Sequence, residues 1–172
     1  MNLVFFTGDC YIDYLGKRVD DVRKGDKIGN VVIKCVIKTK YTSGCGDMCE
    51  FGNRDGYIGM YNQIKIDGKW SYAKDIYDVA MLDINDANQI EYVYNFVGNV
   101  GCGDDVITVN GIECLIMGYR NVEVNSIDAF FGCRANFINS IKRLSGYNNG
   151  LINLDQSNFI SDESGNITGI SV

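Results

Sequence analysis

The stretch that decides the fold is Val106-Ile107-Thr108-Val109-Asn110-Gly111-Ile112-Glu113-Cys114-Leu115-Ile116. Its Asn-Gly pair lies between two runs that are rich in β-branched and aliphatic residues. A two-residue turn of type I′ needs a positive φ at both central positions, and asparagine and glycine tolerate that conformation best. The stretch therefore predicts a β-hairpin.

Further β-type segments lie on both sides of this hairpin, separated by turn residues. Asp67-Gly68 has the same turn chemistry as Asn110-Gly111 and predicts a second hairpin. Strands are predicted at 3–6, at 27–40 as one long or bent strand, and at 60–66, 69–72 and 91–97. This spacing of short strands is typical of an all-β protein.

One segment has a helical period instead. Phe137, Ile138, Ile141 and Leu144 fall on one helix face, and Gly146 follows as a stop signal, which predicts a helix near residues 134–145. The tail, 151–172, predicts a final hairpin around residues 162–165. The chain has no linker-like tract, so we expect one mainly β, compact domain over residues 1–172.

Composition limits the partners that the chain can have. It has 22 acidic and 16 basic side chains and a net charge of −6, which disfavours a nucleic-acid partner because phosphate binding depends on Lys and Arg. No apolar run is long enough to span a membrane, so no membrane association is predicted. The chain has no histidine, the side chain that most often moves protons near neutral pH.

The seven cysteines are an odd set without a secretory leader in front of them. This favours free thiols in a reducing, intracellular compartment, and we expect a cytoplasmic protein. Cys45 and Cys49 resemble half of a metal site, to which Cys102 could add a third thiolate. Structural zinc needs four Cys or His ligands in paired short spacings. We therefore predict no metal and no other cofactor, with a cysteine-based metal or redox module as an alternative.

Other polar and aromatic motifs have structural interpretations. The glycine-rich segment Gly98–Gly103 is not followed by a helix start, so it predicts a connection and not a phosphate site. The acidic pairs Asp20-Asp21 and Asp104-Asp105 are typical of solvated turns. Trp70 and the tyrosines at 57, 61, 72, 77, 92 and 94 predict strand packing, and alternatively an exposed aromatic face for a protein partner.

Several phrases, read in chain order, resemble the Hint domain, the hedgehog/intein fold. They are most similar to the form found with von Willebrand factor A domains. The phrases that carry this resemblance are Gly16–Ile28, Ile64–Trp70, Val93–Val97, Val109–Cys114, Phe130-Phe131-Gly132 with the helix behind it, and Gly150 to Gly169.

The resemblance implies a horseshoe of short strands and an ancestral self-processing activity. In that activity an N-terminal cysteine attacks the preceding carbonyl and shifts the peptide to a thioester, assisted by a Thr-x-x-His phrase and further histidines. Carried over to this chain, the nucleophile falls on Phe5 and the Thr-x-x-His phrase on Gly59-Met60-Tyr61-Asn62. The remaining histidine positions fall on Asp105, Tyr119 and Asp128.

These replacements predict a catalytically inactive Hint-like module that binds a protein partner or has a structural role. We therefore predict no catalytic, cofactor-binding or metal-binding residue. The alternative is a self-processing, thioester-forming domain that uses Cys10. It would need a shifted register and a base other than histidine, such as Asp105 or Asp128. If the resemblance holds, Phe5, Asn62, Asp105 and Asp128 should lie near one another, with Phe5 buried.

Overall fold

A computed structural model describes residues 1–82, 88–99, 106–117, 130 and 134–171. Over these residues the chain is mainly β, as the sequence predicts. The helices are α1 (Ala73–Ile76) and α2 (Arg134–Ile141). The strands are β1 (Phe6–Thr7), β2 (Tyr11–Ile12), β3 (Lys17–Arg18), β4 (Lys27–Ile28), β5 (Val31–Lys40), β6 (Met48–Glu50), β7 (Tyr57–Gly59), β8 (Gln63–Ile66), β9 (Lys69–Tyr72), β10 (Tyr92–Gly98), β11 (Val106–Val109), β12 (Ile112–Leu115), β13 (Leu151–Leu154), β14 (Phe159–Ser161) and β15 (Ile167–Ile170).

The main sheet places the short strand β1 between two longer partners. Its order is β13-β5-β10-β1-β7-β6, and β4 pairs with β5 outside this path. Phe6 of β1 pairs with Tyr94 of β10 and with Ile58 of β7, both antiparallel. The residues directly before β1 therefore lie beside the strands that flank it.

Apolar residues cover both faces of this sheet. Successive side chains of a strand point to opposite faces, and the two core clusters divide accordingly. Phe6, Val36 and Phe96 belong to one cluster, while their chain neighbours Phe5, Ile37 and Val97 belong to the other. Burial on both faces explains why β5 and β10 contain nearly continuous apolar runs.

The second sheet has the order β11-β12-β8-β9 and contains both predicted hairpins. Asn110 and Gly111 have φ values of 49° and 79°, and Asp67 and Gly68 have φ values of 49° and 76°. Positive φ at both central positions confirms the predicted turn chemistry. The side chain of Asn110 also accepts a hydrogen bond from the backbone N of Tyr11 at 2.8 Å, which connects this hairpin to β2.

Helix α2 and the C-terminal hairpin also agree with the sequence. Phe137 and Ile141 are fully buried on the apolar face of α2. Strands β14 and β15 pair antiparallel on either side of a turn at residues 162–165. Within the described ranges, none of the helices is both long enough and apolar enough to cross a membrane.

Three strand predictions need correction. The segment 3–6 is not a strand: β1 begins at Phe6, because the carbonyl oxygen of Val4 and the N–H of Phe5 bind side chains and not a neighbouring strand. The segment 27–40 is two strands, since Gly29 takes a φ of 60° and turns the chain between β4 and β5. Strand β8 begins at Gln63 and not at Met60, because the backbone turns where the N of Asn62 bonds to the O of Gly59 at 3.0 Å.

Candidate functional site

The candidate site surrounds the peptide bond between Val4 and Phe5. The N–H of Phe5 donates to Oδ1 of Asn62 at 2.8 Å. The carbonyl oxygen of Val4 accepts from Nδ2 of Asn95 at 3.1 Å. Both asparagines are buried. One peptide bond is thus held at both ends by side-chain amides, an arrangement that we call the amide clamp.

Asn62 reaches this bond because the chain turns sharply between β7 and β8. The N–H of Gly59 binds the carbonyl oxygen of Phe5 at 2.9 Å, which brings the turn against residue 5. A Cβ at Gly59 would lie 2.8 Å from both Oδ1 of Asn62 and the carbonyl oxygen of Leu3. Glycine is therefore required for this close approach. Nδ2 of Asn62 is buried and has no hydrogen-bond partner among the described residues.

Asn95 comes from the middle of β10, where it pairs with Ile37 of β5. Its Oδ1 accepts from the backbone N of Phe96 at 2.8 Å and of Met117 at 3.3 Å. These two donors fix which end of the amide is oxygen, so Nδ2 is the atom that faces Val4. We did not predict this residue as part of a site. The sequence feature that could have indicated Asn95 is its position as a polar amide between Tyr94 and Phe96 in an otherwise apolar strand.

Phe5 lies as the resemblance predicts. Its side chain is 1% exposed and packs edge-on against Tyr41, with ring centroids 6.1 Å apart. The structure brings Phe5 and Asn62 together, as predicted. Asp105, Tyr119 and Asp128, the other positions carried over from the family, lie outside the described residues.

Cys10, the alternative nucleophile, is a buried and neutral thiol. Its Sγ donates to the carbonyl oxygen of Tyr57 at 3.4 Å and lies 3.6 Å from Oγ1 of Thr7. Burial is the main cause that raises the pKa of the Cys10 thiol to about 12; the nearby charge of Asp9 acts in the same direction, and the hydrogen bonds with Thr7 and Tyr57 oppose it. A thiol is nucleophilic only as the thiolate, so this environment suppresses its reactivity.

The predicted half metal site is built from two buried thiols. Cys45 and Cys49 are both fully buried, and Sγ of Cys45 lies 3.8 Å from the carbonyl oxygen of Lys40. Burial raises the pKa of the Cys49 thiol, which disfavours the thiolate that a metal needs. No group of three or more potential metal ligands occurs within the part of the chain that the structure describes. Cys102 and Cys133 lie outside that part.

The remaining predicted motifs are only partly described. Asp20 lies in the 3-10 turn Val19–Asp21 and forms an ion pair with Arg18 at 2.7 Å. Gly98 ends β10, while Gly101, Gly103, Asp104 and Asp105 are outside the described residues. A cleft of about 550 Å³ opens beside Asp20 and is lined in part by Asp9, Glu91, Tyr57, Tyr92 and Tyr94.

A family model matches most of the chain. The family model described as Hint-domain (Vint) matches residues 4–169, which includes Phe5, Asn62 and Asn95. A search of curated proteins finds no significant match. The match begins at Val4, the residue whose carbonyl Asn95 holds, and extends to the C-terminal hairpin. Because this match covers nearly the whole chain, the protein belongs to the Hint-domain family.

Proposed function

We propose that this Hint domain is catalytically inactive and acts, as a single domain, as a protein-binding or structural module. The observation that carries the proposal is the burial of Phe5, a side chain without a heteroatom at the position to which the resemblance assigns the family's nucleophile. An acyl shift at the Val4–Phe5 bond would need a thiolate or alkoxide on residue 5. A phenyl ring has no lone pair with which to attack the carbonyl carbon.

The contact between Asn62 and the backbone nitrogen of Phe5 supports the same proposal. A peptide nitrogen must receive a proton in order to leave as an amine. The atom of Asn62 that faces this nitrogen is Oδ1. Oδ1 is a hydrogen-bond acceptor and carries no proton that it could donate. An amide also does not titrate near neutral pH. Among the described residues, this peptide bond therefore has no group that can attack its carbonyl carbon and none that can protonate its nitrogen.

The alternative, self-processing through Cys10, is less well supported. Because burial raises the pKa of the Cys10 thiol to about 12, the nucleophilic thiolate is scarce at neutral pH. The backbone N of Cys10 is bonded to the carbonyl oxygen of Thr7 at 3.2 Å. Its carbonyl oxygen accepts from the N of Val19 at 2.8 Å. Cys10 is thus fixed as part of the fold.

The binding role is supported by exposed apolar side chains on one short segment. Ile76, Val79 and Met81 are 44%, 41% and 99% exposed. Exposed apolar side chains that lie within six residues of one another in the chain make this segment a candidate contact site. The aromatic residues predicted for this purpose are less exposed: Tyr72 is buried and packs edge-on against Tyr61. We infer that a protein partner contacts the 76–81 segment.

Intact-mass spectrometry after incubation with hydroxylamine or dithiothreitol tests the inactivity. Both reagents cleave thioesters, so the expected result is the unchanged mass of the full chain. The Cys10→Ser variant should behave identically. Loss of residues 1–9 in the wild type but not in Cys10→Ser would establish the alternative, and loss of residues 1–4 would contradict the inactivity at Phe5 directly.

A further inference from the structure

Asn95 is oriented more firmly than a residue that only fills space in a sheet. It is 2% exposed, and its Oδ1 accepts from two backbone N–H groups, those of Phe96 and Met117. The amide is therefore locked from one side, and Nδ2 is directed at the carbonyl oxygen of Val4, 3.1 Å away. No rotation of the amide could exchange the two ends without breaking all three hydrogen bonds.

The fixed Nδ2 donor of Asn95 affects the reactivity of the Val4 carbonyl as well as its position. When a nucleophile adds to a carbonyl, the negative charge develops on the oxygen, and a preorganised donor in a dry site stabilises that charge. The hydrogen bond from Nδ2 of Asn95 to the carbonyl oxygen of Val4 would become stronger as negative charge develops on that oxygen. Burial increases the effect, because the local dielectric constant is low.

We infer that Asn95 polarises the Val4 carbonyl, so that the domain retains the carbonyl-activating half of an acyl-transfer site. The inference rests on the proposed function, because it assigns the inactivity to two positions, the missing nucleophile at Phe5 and the missing proton donor at Asn62. Asn62 already lies 2.8 Å from the nitrogen that would leave. Asn95 and Asn62 thus contact the two atoms, the Val4 oxygen and the Phe5 nitrogen, at which an acyl shift needs a donor.

The chemistry that this inference predicts is the following. In a Phe5→Cys, Asn62→His variant, the introduced thiol gives its proton to the introduced imidazole, and its sulfur attacks the carbonyl carbon of Val4. The negative charge on the Val4 oxygen is held by Nδ2 of Asn95. The C–N bond then breaks, and the nitrogen of residue 5 receives a proton from the introduced imidazole. The products are a thioester and a free amine, with no net oxidation.

The first test uses the wild-type protein and nuclear magnetic resonance. A through-hydrogen-bond coupling should connect Nδ2 of Asn95 with the carbonyl carbon of Val4. In Asn95→Ala the resonance of that carbon, observed through the N–H of Phe5, should move upfield because the carbonyl loses its donor. Tyr92→Phe, elsewhere on β10, should leave it unchanged. An unchanged Val4 resonance in folded Asn95→Ala would overturn the inference.

The second test measures cleavage of the full chain by hydroxylamine. The Phe5→Cys, Asn62→His variant should release residues 1–4 as a hydroxamate. Phe5→Cys alone should remain intact, because it has no proton donor. Adding Asn95→Ala to the double variant should slow cleavage at least tenfold. Asn95→Val, which suits a strand and also lacks the donor, replaces Asn95→Ala if the latter does not fold.

The outcomes separate this inference from the proposed function. A double variant that folds but is not cleaved, or one that is cleaved equally fast without the Asn95 amide, would overturn the inference and leave the inactivity of the wild type untouched. Cleavage of the wild type would contradict the proposed function and would say nothing against the donor at Asn95. Folding is checked for each variant by circular dichroism.

Discussion

Phe5 has two separable roles, one for its backbone and one for its side chain. The N–H and carbonyl groups are bonded to Asn62 and Gly59, which fix the entry into β1. The ring packs in the core cluster that also contains Leu3, Ile37 and Phe137. The side chain that replaces a nucleophile is therefore also a part of the core.

Truncation of this ring should be costly. Phe5→Ala leaves both backbone hydrogen bonds in place but removes a buried aromatic ring, and we expect the free energy of unfolding to fall by about 3–5 kcal/mol. Urea denaturation measures the change. Val4→Ala is the control, because Val4 is only half-buried and its truncation should cost much less. Equal effects of the two variants would contradict the assignment of Phe5 to the core.

The candidate site could be predicted from the sequence only in part, and the reason lies in the kind of contact. Phe5 and Asn62 can be predicted by aligning short sequence motifs of this chain with those of the Hint family, because each occupies the position of a residue with a known role there. Asn95 forms hydrogen bonds with backbone atoms of Val4, Phe96 and Met117. Because every residue has these backbone groups, the amino-acid sequence does not show which residues are its partners. Its pairing with residue 4 depends on β1 and β10 being neighbours, which periodicity alone does not reveal.

The hairpin turns are the elements in which sequence and structure agree most closely. Type I′ geometry is strictly selective, since an L-residue other than asparagine or aspartate is strained at positive φ. The segment 27–40 illustrates the opposite case. Gly29-Asn30 turns the chain, but long β-type runs on both sides obscure the turn, and the pairing of Ile28 with Val31 was not apparent from composition.

A pair of glycine substitutions tests the turn geometry. Gly68 and Gly111 have φ values of 76° and 79°, so Gly→Ala at either position should cost about 1–2 kcal/mol through backbone strain. A Cβ at Gly68 meets open space, whereas at Gly111 it lies 3.3 Å from Oδ1 of Asn53. Gly111→Ala should therefore be the more destabilising variant.

The control for these variants is Gly169→Ala in β15. Its backbone φ lies outside the positive region, and a Cβ there would make only ordinary contact, at 3.5 Å from Ile160. Thermal denaturation of the three variants gives their order. A Gly68→Ala variant as stable as Gly169→Ala would show that the strain at positive φ is not the controlling factor.

At the scale of the whole molecule, the buried thiols make stability depend on alkaline pH. Burial raises the pKa of Cys10 to about 12 and that of Cys35 to about 11, and it raises the pKa of Cys114 well above its ordinary value. About one pH unit below the ordinary thiol pKa of 9.0 and lower, these thiols are mostly neutral in both the folded and the unfolded state. Above pH 9 the unfolded chain releases protons that the folded one retains, so the free energy of unfolding falls as the pH rises towards 12.

Urea denaturation between pH 8 and pH 10.5 measures this dependence. Cys10→Ala should reduce the steepness of the decline by up to about 1.4 kcal/mol per pH unit, the contribution of one proton. Tyr14→Phe is the control, because Tyr14 is 71% exposed. A slope in Cys10→Ala equal to that of the wild type would mean that Cys10 ionises as readily in the folded protein as in the unfolded chain.

The parallel pairing of β13 with β5 governs when the protein can fold during its synthesis. Leu154 pairs with Thr39, roughly 115 residues earlier in the chain. A ribosome adds about 5–20 residues per second. One edge of β5 therefore remains unpaired for on the order of ten seconds, until β13 has been synthesised. Unpaired strand edges of this kind attract other chains. The interval before residue 154 emerges is therefore the period in which a nascent chain is most exposed to aggregation and most dependent on a chaperone.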